Sequence, residues 1–163
     1  MSVGKHRVAA VSILAAGVVA LIAWGRSQAD ETAEIRAVRD QFEGRWVAAL
    51  VQAGGNRKVG GAASDCRIQF EGKSVSFRGM IGGIDARGTY LIAPKGVPGT
   101  IDLKLDAGWS IGVFAVAGDR LALTINALAL PERLGVPTRG RPDGIRAGEG
   151  FHLYVFRRAE PGE

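Results

Sequence analysis

From Gly44 onward the apolar side chains recur at every second position. Trp46, Ala48 and Leu50 alternate with Val47, Ala49 and Val51 as far as the turn Ala53-Gly54-Gly55-Asn56. Cys66, Ile68 and Phe70 alternate with Arg67, Gln69 and Glu71, and the turn Glu71-Gly72-Lys73 leads into Val75 and Phe77. This is the signature of half-buried strands joined by a hairpin. Gly88 to Ala93 reads as a strand ended by Pro94 and Pro98, and Ile101, Leu103 and Leu105 alternate with Asp102, Lys104 and Asp106. Trp109 to Ala117 and Leu121 to Ala127 flank the hairpin turn Gly118-Asp119. An irregular stretch, Leu128 to Gly150, precedes a last strand, Phe151 to Arg157. With short connections and no crossover helix, neighbouring strands must pair antiparallel. The pattern therefore predicts an all-β fold, an eight-stranded antiparallel up-and-down barrel whose side chains nearly fill its interior.

The predicted inward set is Trp46, Leu50, Cys66, Ile68, Phe70, Val75, Phe77, Tyr90, Ile101, Leu103, Leu105, Leu123, Ile125, Leu153 and Val155. Alternation alone does not say which face is inside. Outer-membrane strands need ~9–11 residues and aromatic girdles. These strands are short and aromatics make up only 7% of the chain, so the apolar face is expected inward and the barrel soluble.

Ahead of the barrel the pattern is of another kind. Lys5-His6-Arg7 is followed by an uncharged run from Val8 to Trp24, then by Arg26, Asp30, Glu31 and Glu34. A basic start before a long apolar stretch predicts an export signal with its N-terminus left in the cytoplasm. The run is longer than the ~7–15 residues of a cleaved signal and shorter than the ~20 of a comfortable span. Residues 1–29 are thus read as a signal peptide or signal anchor that forms a hydrophobic helix. Cleavage would fall after Ser27-Gln28-Ala29 or, less suitably, Ala23-Trp24-Gly25. Membrane contact is expected only through residues 8–24, with the domain periplasmic or extracellular, secreted or tethered. Residues 30–41 are a linker or short helix, 42–158 the barrel, and 159–163 a polar tail. Lys5, Arg7 and Arg26 account for three of the 21 basic residues, leaving 18 against 16 acidic ones. That near balance leaves no nucleic-acid footprint.

Gly44-Arg45-Trp46 in the first strand, with an arginine closing the last, resembles the structural signature of lipocalin-like barrels. In that fold the tryptophan packs across the closed end and the arginine stacks on it. Phe151, Leu153, Val155 and Arg157 share one phase, which assigns the stacking to Arg157 and makes Gly44, Trp46 and Arg157 the signature residues. The chain is also similar to an uncharacterised lipocalin-like domain family abundant in planctomycete bacteria. The carriers are Phe42-Glu43-Gly44-Arg45-Trp46, Phe70-Glu71-Gly72, Gly88-Thr89-Tyr90, Ile101-Asp102-Leu103, Gly112-Val113-Phe114, Gly118-Asp119-Arg120-Leu121, Arg141-Pro142-Asp143 and Phe156-Arg157-Arg158. Two departures, Phe114 in place of tyrosine and the long stretch before Arg141-Pro142, bear on the mouth of the barrel. The resemblance implies the fold and brings no activity or ligand.

Candidate chemistry is sparse. His6 lies in the leader, and His152 alternates with the apolar face of its strand, so it is expected in solvent. One exposed histidine makes neither a metal site nor a catalytic triad. Asp102 and Asp106 bracket Lys104 on an outward face, while Asp85, Asp119 and Asp143 sit beside glycine or in turns, where carboxylates satisfy backbone donors. Gly54-Gly55, Gly60-Gly61 and Gly82-Gly83 lack the lysine and helix onset of a phosphate loop. Cys66, the single cysteine, is expected to be a small buried side chain. No enzyme, metal or cofactor is expected.

Two features remain. The interior is either a filled core or an apolar cup for one small ligand, lined by Phe70, Phe77, Tyr90, Leu103 and Ile125. The loop from Arg133 to Arg146 carries Arg133, Arg139, Arg141 and Arg146, whose guanidinium forks suit carboxylate or phosphate. Two functions follow. One is an exported binding module for a small apolar or amphiphilic ligand. The other is a non-enzymatic cell-envelope protein with a filled core, contacting a protein or an anionic polymer through loop 133–146 or a strand edge.

Overall fold

A computed structural model describes residues 32–80, 83–126 and 140–163. The proposed leader, Arg133 and Arg139 lie outside them, as do Gly82 and the stretch 127–139. Glu34–Glu163 form one compact unit. Among the described residues no helix is long and apolar enough to cross a membrane.

The chain enters through a helix, α1 (Ala33–Phe42). Ile35, Val38 and Phe42 recur at helical spacing and pack against the core, while Arg36, Asp40 and Gln41 face away and are exposed. Gly44, at φ +104°, turns the chain sharply out of the helix, a conformation that an L side chain rarely adopts. Among the described residues nine strands follow: β1 (Gly44–Ala53), β2 (Asn56–Val59), β3 (Arg67–Glu71), β4 (Ser74–Met80) and β5 (Ile84–Ala93), then β6 (Gly99–Leu105), β7 (Gly108–Ala117), β8 (Arg120–Asn126) and β9 (Phe151–Arg158). Each of β3 to β8 pairs antiparallel with the next, β1 pairs with β3, and β1 pairs with β9. Eight strands thus close into an up-and-down barrel, and closure leaves no free sheet edge at the seam.

The ninth strand, β2, was not predicted. It forms a hairpin on the upper half of β1, from Leu50↔Val59 to Ala53↔Asn56, around Gly54-Gly55. The lower half of the same β1 edge pairs with β3 instead, from Gly44↔Phe70 to Val47↔Arg67. Between them runs a short 3-10 turn, Gly60–Ala62. One wall of the barrel is therefore parted at its upper end.

The lower end is closed by aromatic rings. Phe42, at the end of α1, lies 4.9 Å from both Phe70 and Phe114, edge to face, and 6.0 Å from Tyr90, stacked. Such pairs add to what burial alone contributes. The Trp46 indole N–H donates to the Phe42 carbonyl at 2.7 Å, which ties the helix to β1. Phe114, whose departure from tyrosine was assigned to the mouth, in fact belongs to this closed end.

Several sequence assignments need correction. The cation over Trp46 is Arg158, 4.2 Å from the ring centroid, and Arg157 instead pairs with Glu163 on the outside. Arg158 also donates to the carbonyls of Glu43 and Gln41, so one guanidinium joins helix, tryptophan and last strand. The reason is the phase of β9. Its apolar residues occupy both phases, and the larger rings, Tyr154 and Phe156, take the inside, leaving Leu153 and Val155 half-buried on the outside. His152 shares the inward phase and is half-buried, not solvated. Finally, a bulge in β1 between Ala48 and Leu50 turns Val51 inward opposite Tyr154 and leaves Leu50 half-buried.

Candidate functional site

Phe70, Phe77, Tyr90, Leu103 and Ile125 do converge inside the barrel, each at most 2% exposed. Phe70 and Tyr90 belong to the aromatic floor, 4.9 Å apart, and the Tyr90 hydroxyl donates to the Gly72 carbonyl at 2.9 Å. Phe77 lies higher, 6.3 Å from Tyr154. All five belong to the one cluster of buried core residues. They form packed layers beneath whatever the barrel offers at its mouth.

At the mouth the parted wall leaves a cavity of about 610 Å³. Val51 and Ala53 of β1 bound it on one side, β2 and the 3-10 turn roof it, and Cys66, Gly79 and Met80 bound it on the other. The local geometry follows from short-range bonds. Ala63 and Ser64 N–H donate to the Gly60 and Gly61 carbonyls, the Ser64 hydroxyl adds a second bond to Gly61, and Cys66 N–H donates to Ala63. Across the cavity Gly79 N–H donates to the Asp85 carboxylate at 2.7 Å, where a register shift between Phe77 and Met80 bends β4. The result is amphiphilic. Val51, Ala63, Cys66 and Met80 are buried apolar side chains, whereas Arg57 and Lys58 on β2 and Asp65 are exposed on the lining.

Burial pushes the Cys66 thiol up from 9.0 to about 12, against a weaker lowering by the Lys58 ammonium. At neutral pH it is a thiol and not a nucleophile. Native protein at pH 8 should therefore react with Ellman's reagent far more slowly than the same protein in urea. Because the folded value is raised, the thiol's contribution to stability is complete below pH 9 and fades as pH rises from about 9 to about 12. Cys66→Ala should flatten that alkaline decline in urea-unfolding measurements across this range. Burial also lowers the pKa of His152, which pairs with Ala53 beside the mouth.

Of the arginine loop, Arg141 and Arg146 are described. Arg141 donates to the carbonyls of Ile101 and Gly112 at 3.0 and 2.6 Å and to the Asp102 carboxylate at 2.5 Å, pinning the loop to the outside of β6 and β7. Arg146 Nη2 donates to both carboxylate oxygens of Asp143, at 2.8 and 2.7 Å. Charge-assisted bonds of this kind are worth ~1.5–3 kcal/mol when partly buried. Arg141→Ala is expected to cost about that much, and Arg146→Ala, an exposed pair, less than ~1 kcal/mol in the same urea titration.

Among the described residues no three His, Cys, Asp or Glu side chains are grouped to hold a metal ion. What the mouth can do chemically is exclude water from an apolar chain and pair an acidic group at its rim. No family model, curated protein or solved structure matches this chain. The mouth is therefore interpreted from its own geometry. Its apolar lining was partly legible, since Cys66 was expected to be buried. The roof was not, because Asn56-Arg57-Lys58-Val59 is exposed at all four positions and shows no alternation.

Proposed function

We propose that this chain is a lipocalin-like binding module, of the planctomycete family that its motifs resemble, exported behind residues 1–29. It takes one small amphiphilic ligand at the mouth of the barrel. The apolar part of the ligand lies on Val51, Ala63, Cys66 and Met80, and an anionic head meets Arg57 and Lys58. The protein works by binding and not by catalysis. The observation that carries this reading is the 610 Å³ mouth cavity, which is within the ~300–1,000 Å³ usual for small-molecule sites. Trp46, Gly44 and the arginine stacked on the indole support the lipocalin-like reading of the fold.

The test is calorimetric titration with a medium-chain fatty acid. Saturable binding, lost in Ala53→Trp and weakened roughly tenfold by Lys58→Glu, would support the reading. No uptake by the folded protein would overturn it. The rival reading, contact through loop 133–146, gains nothing from Arg141 and Arg146, whose guanidinium groups are already bonded within the fold.

A further inference from the structure

A second concavity lies on the outside of the barrel, over β1, β3, β4 and β5, with a volume of about 350 Å³. Its floor is set by strand register. Val47 pairs with Arg67, and Arg67 with Arg78; in the adjacent row Arg45 pairs with Gln69, Gln69 with Ser76, and Ser76 with Arg87. All four arginines occupy the phase opposite the buried Trp46, Ile68, Phe77 and Ala86, and all four are exposed. At the strand spacing of a sheet the four fall within a strip about 14 Å wide.

None of these charges is paired directly, although the Asp85 and Glu163 carboxylates line the same concavity. Among the described residues, none of Arg45, Arg67, Arg78 and Arg87 has a carboxylate within ion-pair distance. Asp85, on the rim, is committed to the Gly79 N–H. Arg67 and Arg78 stand directly opposite each other, an arrangement of like charges that costs stability in a sheet. A folded surface that gathers guanidinium groups around neutral donors, here Gln69 and Ser76, has the chemistry of an oxyanion site.

The chain itself provides a partial occupant. The Ala159 N–H donates to the Arg45 carbonyl at 3.0 Å, which directs the tail along the edge of the concavity. A turn from Glu160 then places the Glu163 carboxylate on Arg157, at 2.5 and 2.7 Å, beside the groove and on the same row as Arg67. The hydrogen bonds from Arg157 do most to hold that carboxylate well below its usual range, at about 2, the Glu160 N–H adds to them, and the Arg67 charge contributes least.

We propose that this outer face binds a small multivalent anion of the phosphate class, and that the Glu163 carboxylate competes with it for the arginine row. Phosphate is favoured over an aromatic or sugar-bearing anion because, among the described residues that line the concavity, the two with rings, Trp46 and Phe77, are buried and offer no exposed face for stacking. The site is separate from the mouth cavity, and its success or failure leaves that reading untouched.

The experiment is calorimetric titration of the full-length chain with inorganic tripolyphosphate. Saturable binding that weakens with added salt is expected, with Arg67→Ala and Arg78→Ala each reducing affinity roughly tenfold. Glu163→Gln should tighten binding several-fold, while Arg146→Ala, distant and already paired, should leave it unchanged. Because Arg78→Ala relieves the like-charge pair with Arg67 and removes no side-chain bond to the described residues, its melting temperature without anion should equal or exceed that of the wild type, which separates lost binding from lost folding. Arg87→Ala supplies a second variant with the same expected loss. No saturable uptake, or an equal loss in Arg146→Ala, would overturn the site. An unchanged affinity in Glu163→Gln would overturn the competition.

Discussion

Replacing Trp46 with alanine is expected to lower the free energy of unfolding by about 3–5 kcal/mol, among the largest effects of any side-chain truncation in this barrel. Three losses coincide at this position. A fully buried indole leaves a cavity at the closed end. The Phe42 carbonyl loses the donor that sits 2.7 Å away. The Arg158 guanidinium, 4.2 Å over the ring, loses the face on which it rests while still bonding Glu43 and Gln41. Because α1 is attached through these same groups, its packing should loosen with the substitution. Urea unfolding followed by far-ultraviolet circular dichroism gives the midpoint shift. Arg158→Met, which keeps apolar bulk but removes the cation and its donors, should give a smaller loss of about 2–3 kcal/mol. A Trp46→Ala protein as stable as the wild type would show that the closed end does not depend on this cluster.

Gly88→Ala should be as damaging, for a different reason. Gly88 pairs with Leu105 where β5 and β6 approach closely. A Cβ on it would stand 1.9 Å from the Lys104 carbonyl oxygen and 2.8 Å from the Leu105 Cα. Both obstacles are backbone, so no rotamer change relieves the clash and the strand pair itself must separate. The cost should exceed the ~1–3 kcal/mol of an ordinary overpacked core. Gly140→Ala is the matched control, since nothing lies within 4 Å of its added methyl, and it should change stability by less than ~0.5 kcal/mol. Thermal melts of the two variants side by side test the contrast, and equal melting temperatures would contradict it.

These two positions show what could be read from the chain. Gly44-Arg45-Trp46 pointed to the closed end through its resemblance to the lipocalin-like signature, and the buried Trp46 is tied there to Phe42. The alternation of β3, β4 and β6, with charged or polar residues at every second place, showed which side chains share a face, and short strands with few aromatics put the apolar face inward. Where both phases are apolar the pattern loses its information, as in β9, and ring volume decided which phase fills the interior. A bulge cannot be seen by counting in twos, so Leu50 was placed where Val51 stands. The β2 roof escaped because a strand with all four side chains exposed has no apolar period. Its one signal was Gly54-Gly55, which is a two-residue hairpin turn as readily as the end of a strand.

The candidate sites were less legible than the fold for a related reason. Arg141 and Arg146 stand out as part of a charged run, yet the structure spends them on Ile101, Gly112, Asp102 and Asp143. Arg45, Arg67, Arg78 and Arg87 are scattered over more than forty residues, and only strand register brings them into one groove. Proximity in the chain therefore pointed to arginines already paired, and proximity in the barrel to arginines with no direct ion pair among the described residues.

Whether the mouth of the barrel, between β1, β2 and β4, holds a small amphiphilic molecule, as proposed, is read by native mass spectrometry of the protein, exported by a bacterial host and purified without detergent. The expected result is a reproducible extra mass that is released on denaturation, carries an acidic group on an apolar chain, and is absent from Ala53→Trp. A bare protein mass that stays bare when fatty acids are added would contradict it.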